Sequence, residues 1–136
     1  MDTQFDSDVC QLVHRLAHKL DAHVRKVGDD LGITATQVIV LRELTGAITA
    51  RELATKMFCE PSNVTFVLDR LEKQGLVERR PHPTDRRAKQ IVLTPEGKKY
   101  RANVLKHLRR DYPLADLDEN QRSTLHELLR SLNKVD

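Results

Sequence analysis

The chain has 136 residues, of which 39% are hydrophobic and 32% charged, with a formal net charge of +3. This length suits one domain with its own core, and the lack of any run of about 18 apolar residues excludes a helix that crosses a membrane. The acidic start MDTQFDSDV lacks the pattern of a secretory signal, and two cysteines, Cys10 and Cys59, are too few for a disulfide framework, so we expect a cytoplasmic protein.

Two helices are predicted at the start of the chain. Apolar residues recur every three or four positions over about residues 7–28, which predicts a long amphipathic helix that Gly28 and Asp29-Asp30 end. Thr34 and Gln37 have the spacing of a capping box, which predicts a second helix over residues 35–45.

The next two helices predict a helix-turn-helix. Thr49 and Glu52 have capping-box spacing and open a short helix over residues 50–57. Pro61 fits the first position of the following helix, and Gly75 suits its left-handed end. Two helices across a tight turn form the arrangement in which the second helix enters the major groove of DNA.

Two β-like runs, Leu76–Arg80 and Gln90–Thr94, flank the loop Pro81–Lys89 and predict a hairpin. Residues 76–89 contain five basic and two acidic side chains, a net charge of +3 that equals the net charge of the whole chain. Positive charge gathered at a hairpin tip favours contact with a polyanion, as in the DNA-binding wing of a winged helix. The alternative is a solvated hairpin whose charges only prevent edge pairing.

Two further amphipathic helices are predicted after the hairpin. Thr94 and Pro95 begin a helix over residues 95–111, and Asp118 caps a last helix that reaches about residue 134. Together with the first helix, they have longer apolar stripes than the central unit can cover. We therefore expect them to pack against a second copy of the chain across a two-fold axis. The alternative is a helical cap on a monomer.

The helix over residues 60–74 is the candidate DNA-reading element. Its polar face presents the candidate contacts Ser62, Asn63, Thr65, Phe66 and Arg70. Ser62 and Asn63, at the leading end, suit phosphate oxygens or base edges. Thr65 suits either of these or, through its methyl group, thymine. Two alternatives are open for Phe66, contact with a thymine methyl group or packing back onto a neighbouring helix, whereas Arg70 suits a phosphate.

The wing supplies a second set of candidate DNA contacts, namely Arg80, Asp85, Arg86, Arg87 and Lys89. Of Arg86 and Arg87, we expect one to enter the minor groove, where negative potential is enhanced, and the other to hold its rim. Asp85 is anionic beside DNA, so we expect it to fix the loop by pairing with an arginine. Asp69 of the preceding helix is likewise expected to orient an arginine.

The run VTFVLDRLEKQGLVERRPHPTDRRAKQIVLTPEGKK resembles the signature of the MarR (multiple antibiotic resistance regulator) family, and the resemblance covers essentially the whole chain. It implies a homodimeric winged-helix regulator of bacterial transcription that binds a palindromic operator and often a small-molecule effector. Asp85 and Arg87 match the family's wing pair, with Arg87 as the groove contact, and Thr65 matches a DNA-facing threonine. Phe66 stands where many members have a basic residue, so the resemblance does not indicate the operator preference.

The resemblance also implies a division of the single domain 1–136. Residues 1–30 and 95–136 would form the dimerisation helices, and residues 33–94 the winged helix DNA-binding unit. Effectors in the family commonly bind between these parts. Candidate lining residues of such a pocket are Leu16, Leu44 and Arg79.

Cys10, His14 and His18 lie one helical turn apart on the first helix and form a candidate sensing stripe. Three alternatives are open: shared binding of a transition metal, oxidation of the Cys10 thiol, or packing of a small apolar residue beside solvated histidines. The organic-hydroperoxide-sensing branch of the family surrounds its reactive cysteine with tyrosines, whereas this chain has His14 and Val24 at those places. Cys59 is a second candidate thiol, and no metal site is assigned.

These patterns predict a mainly α fold with a small β-hairpin wing, in which N- and C-terminal dimerisation helices flank a winged helix-turn-helix. The predicted function is a sequence-specific transcriptional repressor that binds double-stranded DNA as a homodimer and that a small-molecule or oxidative signal releases. The alternatives are a thiol- or metal-responsive sensor of the same fold, and a protein-interaction module without DNA specificity. No phosphate loop, nucleophile elbow or paired catalytic carboxylate occurs, so we expect neither an enzyme nor a cofactor.

Overall fold

The structure of the protein, a computed structural model, describes residues 2–57 and 59–134. The helices and strands in chain order are α1 (Thr3–Leu31), α2 (Ala35–Glu43), β1 (Ile48–Thr49), α3 (Ala50–Met57), α4 (Pro61–Lys73), β2 (Val77–Pro81), β3 (Lys89–Leu93), α5 (Pro95–Arg109) and α6 (Glu119–Leu132). This architecture confirms the predicted mainly α fold with a small β-hairpin wing. Within the described residues, no helix is both long enough and apolar enough to cross a membrane.

The first helix passes through Gly28, and its end lies one residue beyond the predicted stop at Gly28 and Asp29-Asp30. α1 continues to Leu31, and Gly32, with φ +72°, leaves the helix in a left-handed conformation. Gly28 is buried, and a Cβ atom there would lie 2.6 Å from the carbonyl oxygen of Ile33. The backbone N–H of Ile33 donates to Gly28 O at 2.9 Å. The glycine is therefore needed where the chain folds back over the last turn of the helix.

Side-chain caps begin α2 and α3 at the predicted positions. Thr34 Oγ1 accepts a hydrogen bond from Gln37 N–H (3.1 Å), and Gln37 Oε1 accepts one from Thr34 N–H (2.9 Å). The same reciprocal pair joins Thr49 and Glu52, at 3.1 and 3.4 Å. These bonds satisfy N–H groups that the first turn of a helix leaves unpaired. α2 ends at Glu43, two residues before the predicted end.

A third strand, which the sequence did not predict, completes the sheet of the wing. The antiparallel order is β1-β3-β2, and Ile91 of β3 pairs with Ile48 of β1 on one side and with Arg79 of β2 on the other. The two long strands lie one residue from the predicted runs. β1 covers one edge of the hairpin, so only β2 and the tip remain open along the wing.

Thr94 joins four segments at the base of the wing. Its Oγ1 donates to Gly75 O (2.6 Å) and accepts from Gly97 N–H (3.0 Å), while its backbone N–H donates to Leu76 O (3.1 Å). A Cβ atom at Gly97 would lie 1.8 Å from Leu76 O, so the first turn of α5 packs directly against backbone. The end of α4, both strands of the hairpin and the start of α5 are thereby held in one place.

The chain divides into two compact units, one formed by residues up to Leu20 together with those from Asp111 onward, and one formed by Asp21–Arg110. The second unit contains the buried core, to which the end of α1 and all elements from α2 to α5 contribute. The first unit exposes large hydrophobic side chains, namely Phe5, Val9, Leu12, Val13, Tyr112, Leu128, Leu129 and Leu132. The predicted division into dimerisation and DNA-binding segments stays a prediction.

Candidate nucleic-acid interface

Helix α4 buries one face and presents the other to solvent. Four apolar residues, Val64, Val67, Leu68 and Leu71, are buried in the core of the Asp21–Arg110 unit. All five side chains that the sequence proposes as contacts on this helix are exposed. Pro61 is at the first helical position, and Glu60 before it makes no side-chain capping bond. The start of α4 therefore has no carboxylate cap that would compete with a phosphate group for its N–H groups.

Thr65 forms a hydrogen bond within its own helix. Its Oγ1 donates to Pro61 O at 2.9 Å, one turn back. This bond uses the hydroxyl hydrogen and orients the side chain, but it leaves the oxygen lone pairs and the methyl group exposed. Thr65 can thus accept a hydrogen bond from a base amino group or contact a thymine methyl group.

Phe66 is 65% exposed, although it is large and apolar. The guanidinium carbon of Arg70 lies 5.8 Å from the ring centroid, within the range of a cation–π contact. The ring is therefore not buried against a neighbouring helix, which was one of the two alternatives for this residue. Phe66 and Arg70 instead form a pair on the exposed face of α4.

Arg79 connects the base of the wing to α4. Its guanidinium donates to Asp69 Oδ1 at 2.7 Å and to Glu72 Oε1 at 2.8 Å, and its side chain is 23% exposed. The prediction that Asp69 orients an arginine is confirmed. The role of Arg79 in this clamp was missed, because the sequence suggested it only as a pocket residue. A usable signal existed in two carboxylates three residues apart on a helix that precedes a strand with an arginine.

Asp85 holds the wing tip through a backbone group. Its Oδ1 accepts a hydrogen bond from the backbone N–H of Arg87 at 2.9 Å. Asp85 thus fixes the loop through an arginine, as expected, but the group that it binds is the backbone N–H of Arg87 and not a guanidinium. Among the described residues, no carboxylate lies within ion-pair distance of Arg86, Arg87 or Lys89. Those three exposed cations remain available for an anionic partner.

His82 also shapes the wing tip, and the sequence reading missed it. Its Nδ1 accepts hydrogen bonds from the backbone N–H groups of Thr84 (3.2 Å) and Asp85 (3.0 Å). The backbone N–H of His82 donates to Ala88 O at 3.2 Å. An acceptor side chain two or three residues before open N–H groups is a local turn signal that is usually sought only at Asn, Asp, Ser and Thr.

The remaining wing arginine is partly neutralised. Arg80 forms an ion pair with Glu78, and its Nε donates to Glu78 Oε1 at 2.8 Å. Both side chains are largely exposed, so the pair contributes little to stability. Most of the unpaired positive charge of the hairpin therefore lies at the tip.

The candidate sensing and effector residues differ in their burial and in their contacts within each unit. Cys10, His14 and His18 are exposed on α1, and no three His, Cys, Asp or Glu side chains of the described residues are placed to share a metal ion. Leu44 is buried in the core, Arg79 is bound to α4, and Leu16 is half-buried in the other unit. Cys59 is half-buried beside α4.

Comparisons with known proteins agree with this geometry. A model described as the MarR family matches residues 33–89. The chain is 33% identical over 96 residues to the HTH-type transcriptional repressor MdtR of Bacillus subtilis, with 69% of this chain and 62% of MdtR covered. It is 33% identical over 101 residues to the uncharacterized HTH-type transcriptional regulator YsmB of Bacillus subtilis, with 73% and 69% covered. The match thus spans less than two thirds of the length of MdtR.

A solved structure gives the same result at the level of the fold. A mutant of MarR from E. coli, crystallised in complex with operator DNA, superimposes with a TM-score of 0.73 at 27% sequence identity. The superposition covers 98% of this chain and 100% of that chain. A protein with this fold has therefore been seen bound to operator DNA.

Proposed function

Because the chain belongs to the MarR family of transcriptional regulators, we propose that it is a repressor that binds a palindromic operator as a homodimer and is released by a small-molecule or oxidative signal. Its relatives are regulators of transcription and not enzymes. The observation that carries the proposal is the exposed, unpaired positive charge of the wing tip, held beside the polar face of α4 by the Arg79 clamp. DNA in the cytoplasm is the polyanion that this arrangement fits.

In the proposed complex, α4 enters the major groove with its N-terminal end first. Ser62 and Asn63 contact phosphates or base edges, and Thr65 contacts a base through its methyl group or its acceptor lone pairs. Phe66 contacts a thymine methyl group, and Arg70, held beside the ring, contacts a phosphate. Selectivity between sequences then depends mainly on this helix.

The wing contributes affinity that depends little on sequence. Arg87 enters the minor groove, since Asp85 fixes its backbone and leaves its guanidinium unpaired. Arg86, Lys89 and Arg80 contact the phosphates along the rim. The protein-interaction module is a weaker alternative, because such a module has no need of unpaired cations at a wing tip.

The homodimer is proposed from the exposed apolar side chains of the first unit. Phe5, Leu12, Leu128 and Leu132 lie on α1 and α6 and are all more than half exposed, which is costly for side chains of this size. In the proposed dimer, residues 1–30 and 95–136 bury them against the second copy. Leu12→Asp should shift the protein from dimer to monomer in sedimentation velocity. A dimer that persists in this variant and in Leu128→Asp would contradict the proposed interface.

The experiment that tests DNA recognition is a gel shift with the promoter region beside the protein's own gene, at two salt concentrations. Binding should be stronger to this fragment than to a shuffled fragment of equal length. Equal binding to both would remove the claim of sequence specificity. Phe66→Ala should then change the preference at one base pair in each half-site, whereas uniformly weaker binding would contradict a base contact by Phe66.

An oxidative release signal has one observation in its favour, the exposure of Cys10 on α1. Mild peroxide should then modify Cys10, as seen by mass spectrometry, and weaken DNA binding of the natural protein but not of Cys10→Ser. Unchanged binding after complete modification would leave the small-molecule signal as the remaining proposal.

A further inference from the structure

Helix α5 carries an excess of positive charge that the proposed DNA contacts do not use. Residues 98–110 contain six lysines and arginines and neither aspartate nor glutamate. The net charge of this stretch is therefore twice the net charge of residues 76–89 around the wing. Like charges at this density repel one another and destabilise the folded chain, so they favour an anionic partner.

Four of these cations form a stripe along one exposed face of α5. At about 100° per residue, they lie within an arc of about 100° and follow the helix for about 16 Å. The α5 stripe, as we call this face, consists of Lys98, Lys99, Ala102, Lys106 and Arg109, all exposed. The opposite face of the helix packs in the core through Tyr100 and Val104. The charge is thus gathered on the surface that the fold leaves open.

The cations of the α5 stripe have no carboxylate partner. Among the described residues, no carboxylate lies within ion-pair distance of any of the four, and Glu96, on the same helix, lies outside the arc. Arg101 differs from them, because its guanidinium donates to Leu41 O at 2.8 Å and to Arg42 O at 3.0 Å. These carbonyls belong to the last turn of α2, which lacks intrahelical donors for them. The fold accounts for Arg101 but not for the stripe.

The α5 stripe begins beside the wing. Lys98 and Arg80 line the same groove of about 310 Å³, together with residues of the loop before β1 and of strand β3. Arg80 is one of the proposed phosphate contacts of the wing. The basic surface of the wing therefore continues onto α5 through this groove.

The composition of the α5 stripe favours nucleic acid over protein or lipid as its partner. The centres of protein–protein interfaces are rich in aromatic residues and poor in lysine, and among the described residues none of the large exposed hydrophobic side chains lies on α5. A helix that binds a membrane surface needs an exposed apolar face, whereas the apolar face of α5 is in the core. Interfaces with DNA, in contrast, are polar and strongly positive.

We propose that the α5 stripe binds the phosphate groups of double-stranded DNA beyond the stretch that α4 and the wing contact. This inference rests on the proposed function, which supplies the DNA. Lysine binds phosphate as a flexible point charge, so the contact depends little on base sequence. A stripe of about 16 Å corresponds to about five base pairs of duplex. The stripe thus lengthens the bound DNA and raises affinity without changing which operator is preferred.

Lys98→Gln/Lys106→Gln tests the length of the bound DNA. Both side chains are exposed, so the double variant removes charge and leaves the core intact. In hydroxyl-radical footprints on the promoter fragment at saturating protein, the natural protein should protect about five more base pairs in each half-site than the variant. Equal footprints overturn the proposal.

The salt dependence of binding gives an independent measure of the same contacts. Each lost phosphate contact lowers the slope of log affinity against log salt by about 0.9, so the double variant should be shallower by at least about 2 in the proposed dimer. Arg42→Gln/Lys73→Gln is the matched control, since it removes the same charge from exposed positions outside α5 and reports the effect of lost charge alone. A slope of the Lys98→Gln/Lys106→Gln protein equal to that of the control overturns the proposal.

A photo-crosslinker at the centre of the stripe identifies the partner. On irradiation, p-benzoylphenylalanine in place of Ala102 should form a crosslink to labelled promoter DNA. The same group in place of Ser131, which is exposed on α6, should form none. A crosslink from position 102 to a second copy of the chain, or to no partner at all, overturns the assignment to DNA.

Shuffled DNA separates this inference from the proposed function. Equal affinity of the natural protein for the promoter and shuffled fragments, with crosslinking of DNA at position 102, overturns the sequence-specific regulator and leaves the α5 stripe intact. Preference for the promoter fragment, with equal footprints of the natural and variant proteins and no crosslink, overturns the stripe and leaves the regulator intact.

Discussion

Arg87→Ala gives the sharpest test of the wing, because the structure leaves this guanidinium without a carboxylate partner among the described residues. The backbone of Arg87 is held by Asp85 Oδ1 at 2.9 Å, a bond that the substitution does not touch. The loop conformation should therefore persist, and only the side chain that is proposed to reach the DNA is lost. Any change in affinity then reports a DNA contact and not a collapsed wing.

The size of the effect follows from counting charges. Each arginine–phosphate contact adds about 0.9 to the slope of log affinity against log salt, so a dimer that loses two contacts should lose about 1.8. When salt rises from about 50 to about 200 mM, the affinity of the natural protein should therefore fall by a factor roughly twelve times larger than the factor for the variant. An exposed charged contact is worth about 1 kcal/mol, so the dimer should bind about thirtyfold more weakly at low salt.

The assay is fluorescence anisotropy with a labelled promoter fragment over a range of salt concentrations. Arg42→Ala is the matched control, since it removes the same charge from an exposed arginine that pairs with Glu43 on α2, away from the wing. The control should keep the natural slope within about 0.5. An Arg87→Ala slope equal to that of the control would refute a phosphate or groove contact by Arg87. Equal urea denaturation curves would exclude unfolding as the cause of a weaker affinity.

Three further substitutions address the geometry of the unit that carries the site. His82→Ala should weaken DNA binding about three- to tenfold, because two backbone N–H groups lose their acceptor. His82→Asn should bind normally, because its Oδ1 can replace Nδ1, and similar affinities for both variants would contradict the role of the ring. Arg79→Met should lower the free energy of unfolding by about 1 kcal/mol in urea and weaken DNA binding by more than this loss explains, and natural DNA affinity would show that the clamp does not position the wing. Gly97→Ala should lower the free energy of unfolding by about 3 kcal/mol or more, because its Cβ atom would overlap Leu76 O. Gly46→Ala, whose Cβ atom meets nothing within 4 Å, should change it by less than about 0.5 kcal/mol, and comparable losses would contradict the packing of α5.

The elements that the sequence predicted well are those set by neighbouring residues. The capping boxes at Thr34 and Thr49 place the starts of α2 and α3 because both partners lie three residues apart. The predicted end of α1 was too early because Gly28 is required by the close approach of Ile33 O to the helix and is not a stop signal. β1 was missed because two residues are too few to show the alternation of a strand, and only their pairing with β3 makes them one.

The same distinction applies to the candidate site. Charge and helical periodicity were enough to predict that Phe66 shares an exposed face with Arg70, since these depend on spacing along one helix. The hydrogen-bond partners in the wing were missed, although Asp85 lies only two residues before the N–H that it binds and Asp69 and Glu72 lie three residues apart on α4. Asp85 binds a backbone N–H and not a guanidinium, and Arg79 reaches back to α4 across the chain. Residue types thus indicated the surface, whereas its internal hydrogen bonds depend on how the wing folds against α4.

The position of Thr94 bears on how this protein's relatives can be searched for in genomes. The residue lies in VLTPEG, near the end of the run that resembles the MarR family, yet its bonds go to Gly75, Leu76 and Gly97 and not to the proposed DNA face. A motif search built on this run selects chains that can form the same hydrogen bonds at the base of the wing. It would retrieve regulators of unrelated genes with equal ease, so a search aimed at a shared operator should weight the exposed residues from Ser62 to Arg70 instead.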